Sequence, residues 1–204
     1  MSAATATYLG DKRVDAIVIG GSAGALEVLR TLLAGLPGTL RIPAMIVVHL
    51  PAHAPTTIHE ILQQFASLRT KLAEDKEKIL PGTIYFAPPG YHLLVETDGH
   101  FALSVDEPVH FSRPAIDVLF ESAADAYGEH LLGILLTGAS EDGAAGLQTV
   151  HELGGTTLVQ TPESSEAIIM PAAALALFQP TFSGAPPQLR DLLASLETRA
   201  VHAS

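Results

Sequence analysis

One short stretch limits what this chain can fold into: Val14 to Gly24, which reads VDAIVIGGSAG. Val14, Ala16, Ile17, Val18 and Ile19 form an apolar, largely β-branched run long enough for one buried strand. The run stops at Gly20-Gly21-Ser22-Ala23-Gly24, and apolar residues at helical spacing follow at once (Leu26, Val28, Leu29, Leu32, Leu33). Glycines on both sides of one serine at a strand-to-helix junction permit a turn too tight for ordinary side chains. Such a turn lifts the serine hydroxyl out of the sheet, beside the backbone N–H groups that open a helix.

The rest of the chain supplies a sheet around that strand. The first helix is expected to stop near Gly35-Leu36-Pro37-Gly38, and Pro43 to His49 reads as a second strand ending on a polar residue. Thr56 to Leu68 has helical spacing of apolar residues. Two βα units in succession favour a parallel sheet with covering helices. The block from about 70 to 110 reads differently, as an antiparallel insertion. It holds a strand at Thr83 to Ala87, then Tyr91 to Glu96 and Phe101 to Val105 around Asp98-Gly99, a strong hairpin signal. From Ser112 the α/β rhythm returns. Pro114 is placed at a helix start and that helix runs to about Tyr127. A strand at Leu131 to Thr137, a helix at Ala144 to Leu153 and a strand at Thr156 to Gln160 come next, and two further helices close the chain. The expected fold class is α/β, a doubly wound, mostly parallel sheet with helices on both faces and a β-hairpin insert. It forms one domain over 13–198, between flexible tails at 1–12 and 199–204.

Composition narrows the function classes. Of 204 residues 48% are hydrophobic and 16% charged, which suits a sizeable core and excludes disorder of the whole chain. A formal charge of −11 is a poor match to a phosphate backbone, so nucleic acid is not an expected partner. The absence of cysteine removes disulfides, thiolate metal sites and cysteine nucleophiles together. The start MSAATATYLGDKR has no apolar core of a secretory signal, and apolar runs such as Leu131 to Leu136 are far too short to span a bilayer. The expectation is a cytoplasmic protein without membrane insertion.

In open parallel sheets, sites form beyond the carboxyl ends of the strands. The first strand ends on Ser22, the second on His49, and the strand at 131–137 runs into Ser140, Glu141 and Asp142. A hydroxyl, an imidazole and a carboxylate at one sheet edge are the set that nucleophilic acyl transfer needs. The imidazole accepts the serine proton near neutral pH, and the carboxylate orients the imidazole and stabilises its charged form. Each residue has a rival reading. A glycine-rich first turn also suits a dinucleotide, but Ser22 and Ala25 occupy the second and third glycine positions, and His49 stands where a ribose-binding acid is expected. His49, His53 and His59 invite a metal reading, against which Pro51 breaks the helix that would align them, so no metal is expected. Glu141 competes with Asp142 as the carboxylate, and the Ser-Glu-Asp run also fits a plain helix cap.

Taken together, IGGSAG before a helix, VVHLP, PGTIYFAPPGYHLLV, SRPAIDVLF and ILLTGASEDGAAGL resemble, in their order, the catalytic domain of CheB-type chemotaxis protein-glutamate methylesterases. The resemblance runs from about Val14 to about Leu196. It implies hydrolysis of glutamyl γ-methyl esters on the methylated cytoplasmic region of chemoreceptors, and deamidation of receptor glutamines, without metal or cofactor. It places Ser22 on the nucleophile, His49 on the base and Asp142, over Glu141, on the orienting carboxylate. Backbone N–H groups hold the oxyanion, with Ala23 one donor and the 138–141 loop, with Gly138 and Ala139 as its candidates, another. Arg113 is a candidate for meeting an acidic receptor surface, or an ordinary salt-bridging arginine.

The chain departs from the family pattern where Ala23 follows the nucleophile, where Ala25 replaces a glycine, and where Ala139-Ser140-Glu141 replace the methionine stretch of the aspartate loop. These changes leave backbone roles intact and bear on substrate fit. A receiver domain has no room before Val14, so the expectation is that the protein is either ungated or controlled by another chain, a regulatory partner protein. Two other classes stay in view: a non-catalytic scaffold of the same fold, motivated by the altered loop, and a nucleotide-binding protein, motivated by the glycine turn.

Overall fold

The structure, a computed structural model, describes residues 12–49 and 57–196. Strand β1 (Ala16–Gly21) is buried along its whole length, and its alternate side chains feed two different cores. Ile17 and Ile19 point into one, Ala16 and Val18 into the other, as the two-residue period of a strand requires. A strand covered on both faces reads as a continuous apolar run, which is why this segment was legible.

Six strands join β1 in one sheet: β2 (Ala44–Val48), β3 (Arg69–Leu72), β4 (Thr83–Phe86), β7 (Leu131–Leu135), β8 (Thr156–Gln160) and β9 (Phe182–Gly184). Their order is β3-β4-β2-β1-β7-β8-β9, and every pairing is parallel. Strands β5 (His92–Val95) and β6 (Phe101–Ser104) form a separate antiparallel pair around the Asp98-Gly99 turn. Helices α1 (Ala25–Gly35), α2 (Ile58–Gln63) and α6 (Pro186–Ala194) cover one face, with Leu29, Leu32 and Leu33 meeting Leu189, Leu192 and Leu193. Helices α3 (Ile116–Tyr127), α4 (Ala144–Glu152) and α5 (Ile169–Leu177) cover the other. The hairpin packs there too. Phe101 sets its ring edge against Tyr85 of β4, 4.8 Å between centroids, so the insert adds to a core rather than hanging from the sheet.

The doubly wound α/β class is what the sequence predicts, but four details differ. The antiparallel block is smaller than 70–110, because β3 and β4 belong to the parallel sheet. The charges of β3 are tolerated because it is an edge strand: Lys71 reaches Glu74 (2.9 Å) and Glu77 (2.6 Å) at the surface. Helix α2 is shorter than the expected 56–68, since the Gln63 side chain leaves it to pair with Leu68 O and Thr70 N–H. Helix α3 begins at Ile116, with Pro114 ahead of its cap rather than in its first turn. The three-residue β9, too short for a periodic signal, extends the sheet beyond β8. Of the expected tails, Lys12 is described, and its Nζ donates to Gly154 O (2.9 Å). The remainder of both tails lies outside the described residues. Among the described residues no helix is long and apolar enough to cross a membrane.

From β1 the chain winds first toward β2 and later returns to the opposite side at β7. The switch opens a crevice at the carboxyl ends of β1, β2 and β7. At its floor α3 crosses close to β1: a Cβ built on Gly20 would lie 2.2 Å from Ile116 Cγ2. That contact delivers the first turn of α3 to the edge of the sheet where the candidate residues end.

Candidate active site

Ser22 follows β1 directly. Its N–H donates to Thr137 O (2.9 Å), which continues the β1–β7 pairing, and its carbonyl accepts the Ala25 N–H (3.0 Å) that opens α1. Gly24 holds φ +78 between them, a left-handed geometry that costs a side chain energy and glycine nothing. Thr137 braces the turn from behind: its Oγ1 donates to Ala23 O (2.9 Å) and accepts the Ala167 N–H (2.9 Å). Among the described residues, the N–H groups of Ala23 and Gly24 have no protein acceptor, so both are free for a ligand.

His49 lies one step past the last registered pair of β1 and β2, Gly21↔Val48, and its N–H donates to Gly21 O (3.0 Å). Adjacent positions on parallel strands send side chains to the same face, so Ser22 and His49 stand side by side at the sheet edge. The imidazole Nε2 is 2.7 Å from Asp142 Oδ2. A carboxylate only accepts, so the neutral ring keeps its proton on Nε2 and offers its lone pair from Nδ1. That lone pair faces Ser112 Oγ, 3.4 Å away, and Ser22 Oγ makes no hydrogen bond to the ring here. Hydrogen bonds of this kind tighten when a substrate is seated.

Asp142 is fully buried. Its Oδ2 also accepts the Ile116 N–H (2.7 Å) and its Oδ1 the Asp117 N–H (2.9 Å), so one carboxylate caps α3 while holding His49. Burial alone would raise its pKa; the His49 hydrogen bond and the two N–H donors outweigh burial and hold the carboxyl below its usual range. Asp117 returns the arrangement. Its Oδ1 accepts N–H groups from Gly143 (2.9 Å) and Gly146 (2.7 Å), capping α4, the helix that Asp142 precedes. Each helix is thus capped by a carboxylate next to or in the first turn of the other. Burial, reinforced by the negative charges of Asp142 and Glu121, pushes Asp117 up to about 6 against those two N–H donors.

The two carboxylates therefore act oppositely on stability. Between the ordinary carboxylate pKa of about 4 and about 6, folded Asp117 keeps a proton that the unfolded chain has lost, so its contribution falls as pH rises. Asp142 contributes stability above the ordinary value and loses it as pH drops below. In Asp117→Asn the first dependence disappears, so the Tm of the variant relative to the native chain is expected to climb between about pH 4.5 and about pH 7. A difference in Tm that stays flat across that range means Asp117 does not titrate there.

Glu141, the rival of Asp142, is exposed, and burial separates the two where spacing alone left both open. Gly138 requires a correction as an oxyanion donor: its N–H is committed to Ala167 O (3.0 Å). Past Gly138, the Ala139 N–H has no protein acceptor among the described residues, and neither do those of Ser140 and Glu141; Ala139 keeps the candidacy. Arg113 Nη1 donates to the carbonyls of Val105 (2.7 Å) and Asp106 (3.0 Å), so this guanidinium fastens its own loop. His49 spends both ring nitrogens on Asp142 and Ser112, which conflicts with a metal set of His49, His53 and His59; His53 itself lies outside the described residues. A groove of about 660 Å³ lined by residues including His59, Arg69, Lys71 and Tyr91 carries none of the candidate catalytic residues. Sequence reasoning missed Ser112 and Asp117. An aspartate just after a helix start is a capping signal and was readable; the approach of Ser112 to His49 joins residues 63 apart in sequence and had no local sign.

Against known proteins, the model of the family described as CheB methylesterase matches residues 17–195. This chain belongs to the CheB methylesterase family. A relative from Leptospira interrogans, named a putative protein-glutamate methylesterase/protein-glutamine glutaminase, is 46% identical over 161 residues, which are 79% of this chain and 83% of that protein. One from Methanospirillum hungatei, a protein-glutamate methylesterase/protein-glutamine glutaminase, is 36% identical over 183 residues, 90% of this chain but 52% of its own length. The chain thus spans about half of that second relative. The crystal structure of the Thermotoga maritima CheB methylesterase catalytic domain superposes with a TM-score of 0.85 at 27% identity, covering 90% of this chain and 98% of that one. As a CheB-family fold, the doubly wound sheet and its switch-point crevice are accounted for, and a nucleotide site is not needed to explain the glycine turn.

Proposed function

We propose that this chain is a serine hydrolase that removes methyl groups from glutamyl γ-esters of chemoreceptors in the cytoplasm, and deamidates receptor glutamines by the same route. The observation that carries the proposal is the pair of buried Asp142 and part-buried His49, 2.7 Å apart, with Ser22 at the neighbouring position of the sheet edge. The names of the relatives supply the substrate class.

In this reading Ser22 Oγ turns from its resting position to Nδ1 of His49, displacing Ser112. It attacks the ester carbonyl as Nδ1 takes its proton, and Asp142 stabilises the imidazolium through Nε2. The negative charge that develops on the carbonyl oxygen is met by the N–H of Ala23 and the N–H of Ala139. The C–O bond to methoxide breaks, His49 returns the proton, and methanol leaves an acyl-serine. Water, deprotonated by His49, then attacks the acyl carbon and restores Ser22 with a free glutamate. For a glutamine the leaving group is ammonia and the acyl-enzyme is the same. A regulatory partner that governs access to the cleft belongs to this proposal as well.

The test is methanol release from membranes bearing methylated receptors on addition of the purified chain. Release well above the spontaneous rate is expected. A rate no higher than that of membranes alone, across receptors of several types, rejects the esterase reading.

A further inference from the structure

The segment that brings Ser112 to His49 has a second peculiarity. Val109 and Ser112 exchange both backbone hydrogen bonds (3.2 and 2.9 Å), making His110 and Phe111 the two central residues of a tight hairpin turn. Both have positive φ, +49 and +61. That geometry suits Asn-Gly, and a bulky aromatic there is strained. Packing does not offset the strain, because Phe111 is 103% exposed, the highest value among the described large apolar residues.

Every neighbour of that ring is pinned. His110 Nε2 lies 3.4 Å from the buried Asp117 carboxylate, Ser112 Oγ lies 3.4 Å from His49 Nδ1, and Arg113 is fastened to Val105 and Asp106. The turn is thus strained, joined to His49 on one side of its tip and to the helix-capping Asp117 on the other, and aimed outward with an aromatic ring. Strain retained at such a place, with nothing among the described residues repaying it, is characteristic of function. Exposed Ile168 and Ile169 follow Ala167, the residue bonded to Gly138 and Thr137, and exposed Leu26 sits in the first turn of α1. Apolar side chains therefore border the polar cleft on several segments.

We propose that Phe111 is a substrate-contacting, specificity-determining residue that packs on an apolar side chain next to the scissile glutamyl group of the protein substrate. It contributes affinity for an ester displayed on a protein surface and none for a small free ester. The inference rests on the hydrolase reading above. A ring that goes from full exposure to a packed contact is worth about tenfold or more in binding.

Steady-state kinetics of the full chain on two substrates test it: methylated receptor membranes and N-acetylglutamate γ-methyl ester. With Phe111→Ala and Phe111→Gly, kcat/KM on receptors is expected to fall at least about tenfold, carried by KM, with the small ester unchanged within about twofold. Phe111→Leu is expected to recover part of the loss. Phe111→Gly, which relieves the backbone, is expected to keep or raise Tm while losing receptor activity. Receptor kcat/KM within about twofold of native in both variants overturns the proposal, and so does a parallel fall on both substrates, which places the effect in the site rather than in substrate contact. If the native chain cleaves the small ester but releases no methanol from receptors, the receptor reading fails along with the inference. That result is told apart by the silence of the native protein itself.

Discussion

Ser22→Ala is expected to lower methanol release by about 10⁴-fold or more while leaving Tm within a degree or two. Removing the nucleophile of a serine–histidine–carboxylate set costs on the order of 10⁶ in kcat, and the residual rate comes from binding and the oxyanion donors. The structural effect is small because, among the described residues, no side-chain hydrogen bond of Ser22 anchors the fold; its structural work is done by the backbone, which alanine keeps. The comparison with Ser112→Ala gives the experiment its force. Ser112 Oγ is the hydroxyl that faces Nδ1 at rest, so geometry at rest alone would favour it over Ser22. Register and the turn argue the other way: Ser22 sits beside the free N–H groups of Ala23 and Gly24, where an oxyanion has donors. Ser112→Ala is therefore expected to keep activity within about tenfold. If Ser112→Ala is silent and Ser22→Ala is active, the roles are reversed and the assignment of the nucleophile fails.

Asp142→Ala is expected to combine both kinds of loss. Without the carboxylate the imidazole is free to take the other tautomer, with its proton on Nδ1 and no lone pair toward the serine, which costs about 10⁴-fold in rate. The same change strips the Ile116 and Asp117 N–H groups of their acceptor inside a buried first turn. Unsatisfied buried donors cost about 1–3 kcal/mol each, and for a domain of this size that is roughly 5–15 °C of Tm. Asp142→Asn separates the two effects. Its amide oxygen keeps one cap while its NH₂ faces other donors, so activity falls as far as in the alanine variant with a smaller loss of Tm. Circular dichroism melts beside methanol release measure both. An Asp142→Ala chain that melts like the native protein would mean the capping hydrogen bonds contribute nothing, and one that retains more than about a tenth of the rate would remove Asp142 from the catalytic set.

Ser22→Ala and Asp142→Ala thus probe one site through different physics, and sequence was unequally informative about them. Ser22 and His49 were legible because each ends a continuous apolar run, and a parallel sheet places the ends of its strands together. Spacing alone left Asp142 as one of two neighbouring acids, and only the family resemblance favoured it. Helix capping between α3 and α4, over 25 and 26 residues, gives the physical reason, since no local pattern encodes which of two adjacent carboxylates will be buried.

The alternation of apolar strands with helical spacing, the glycine turn at Ser22 and the Asp98-Gly99 hairpin were determined by the sequence itself, since each follows from local sterics and periodicity. The membership of β3 and β4 in the main sheet, the short β9, the engaged N–H of Gly138 with the free one at Ala139, the serine at Nδ1 of His49 and the strained exposure of Phe111 were decided by tertiary structure alone. Burial and hydrogen-bond partnership are properties of pairs, and their partners lie tens of residues away along the chain.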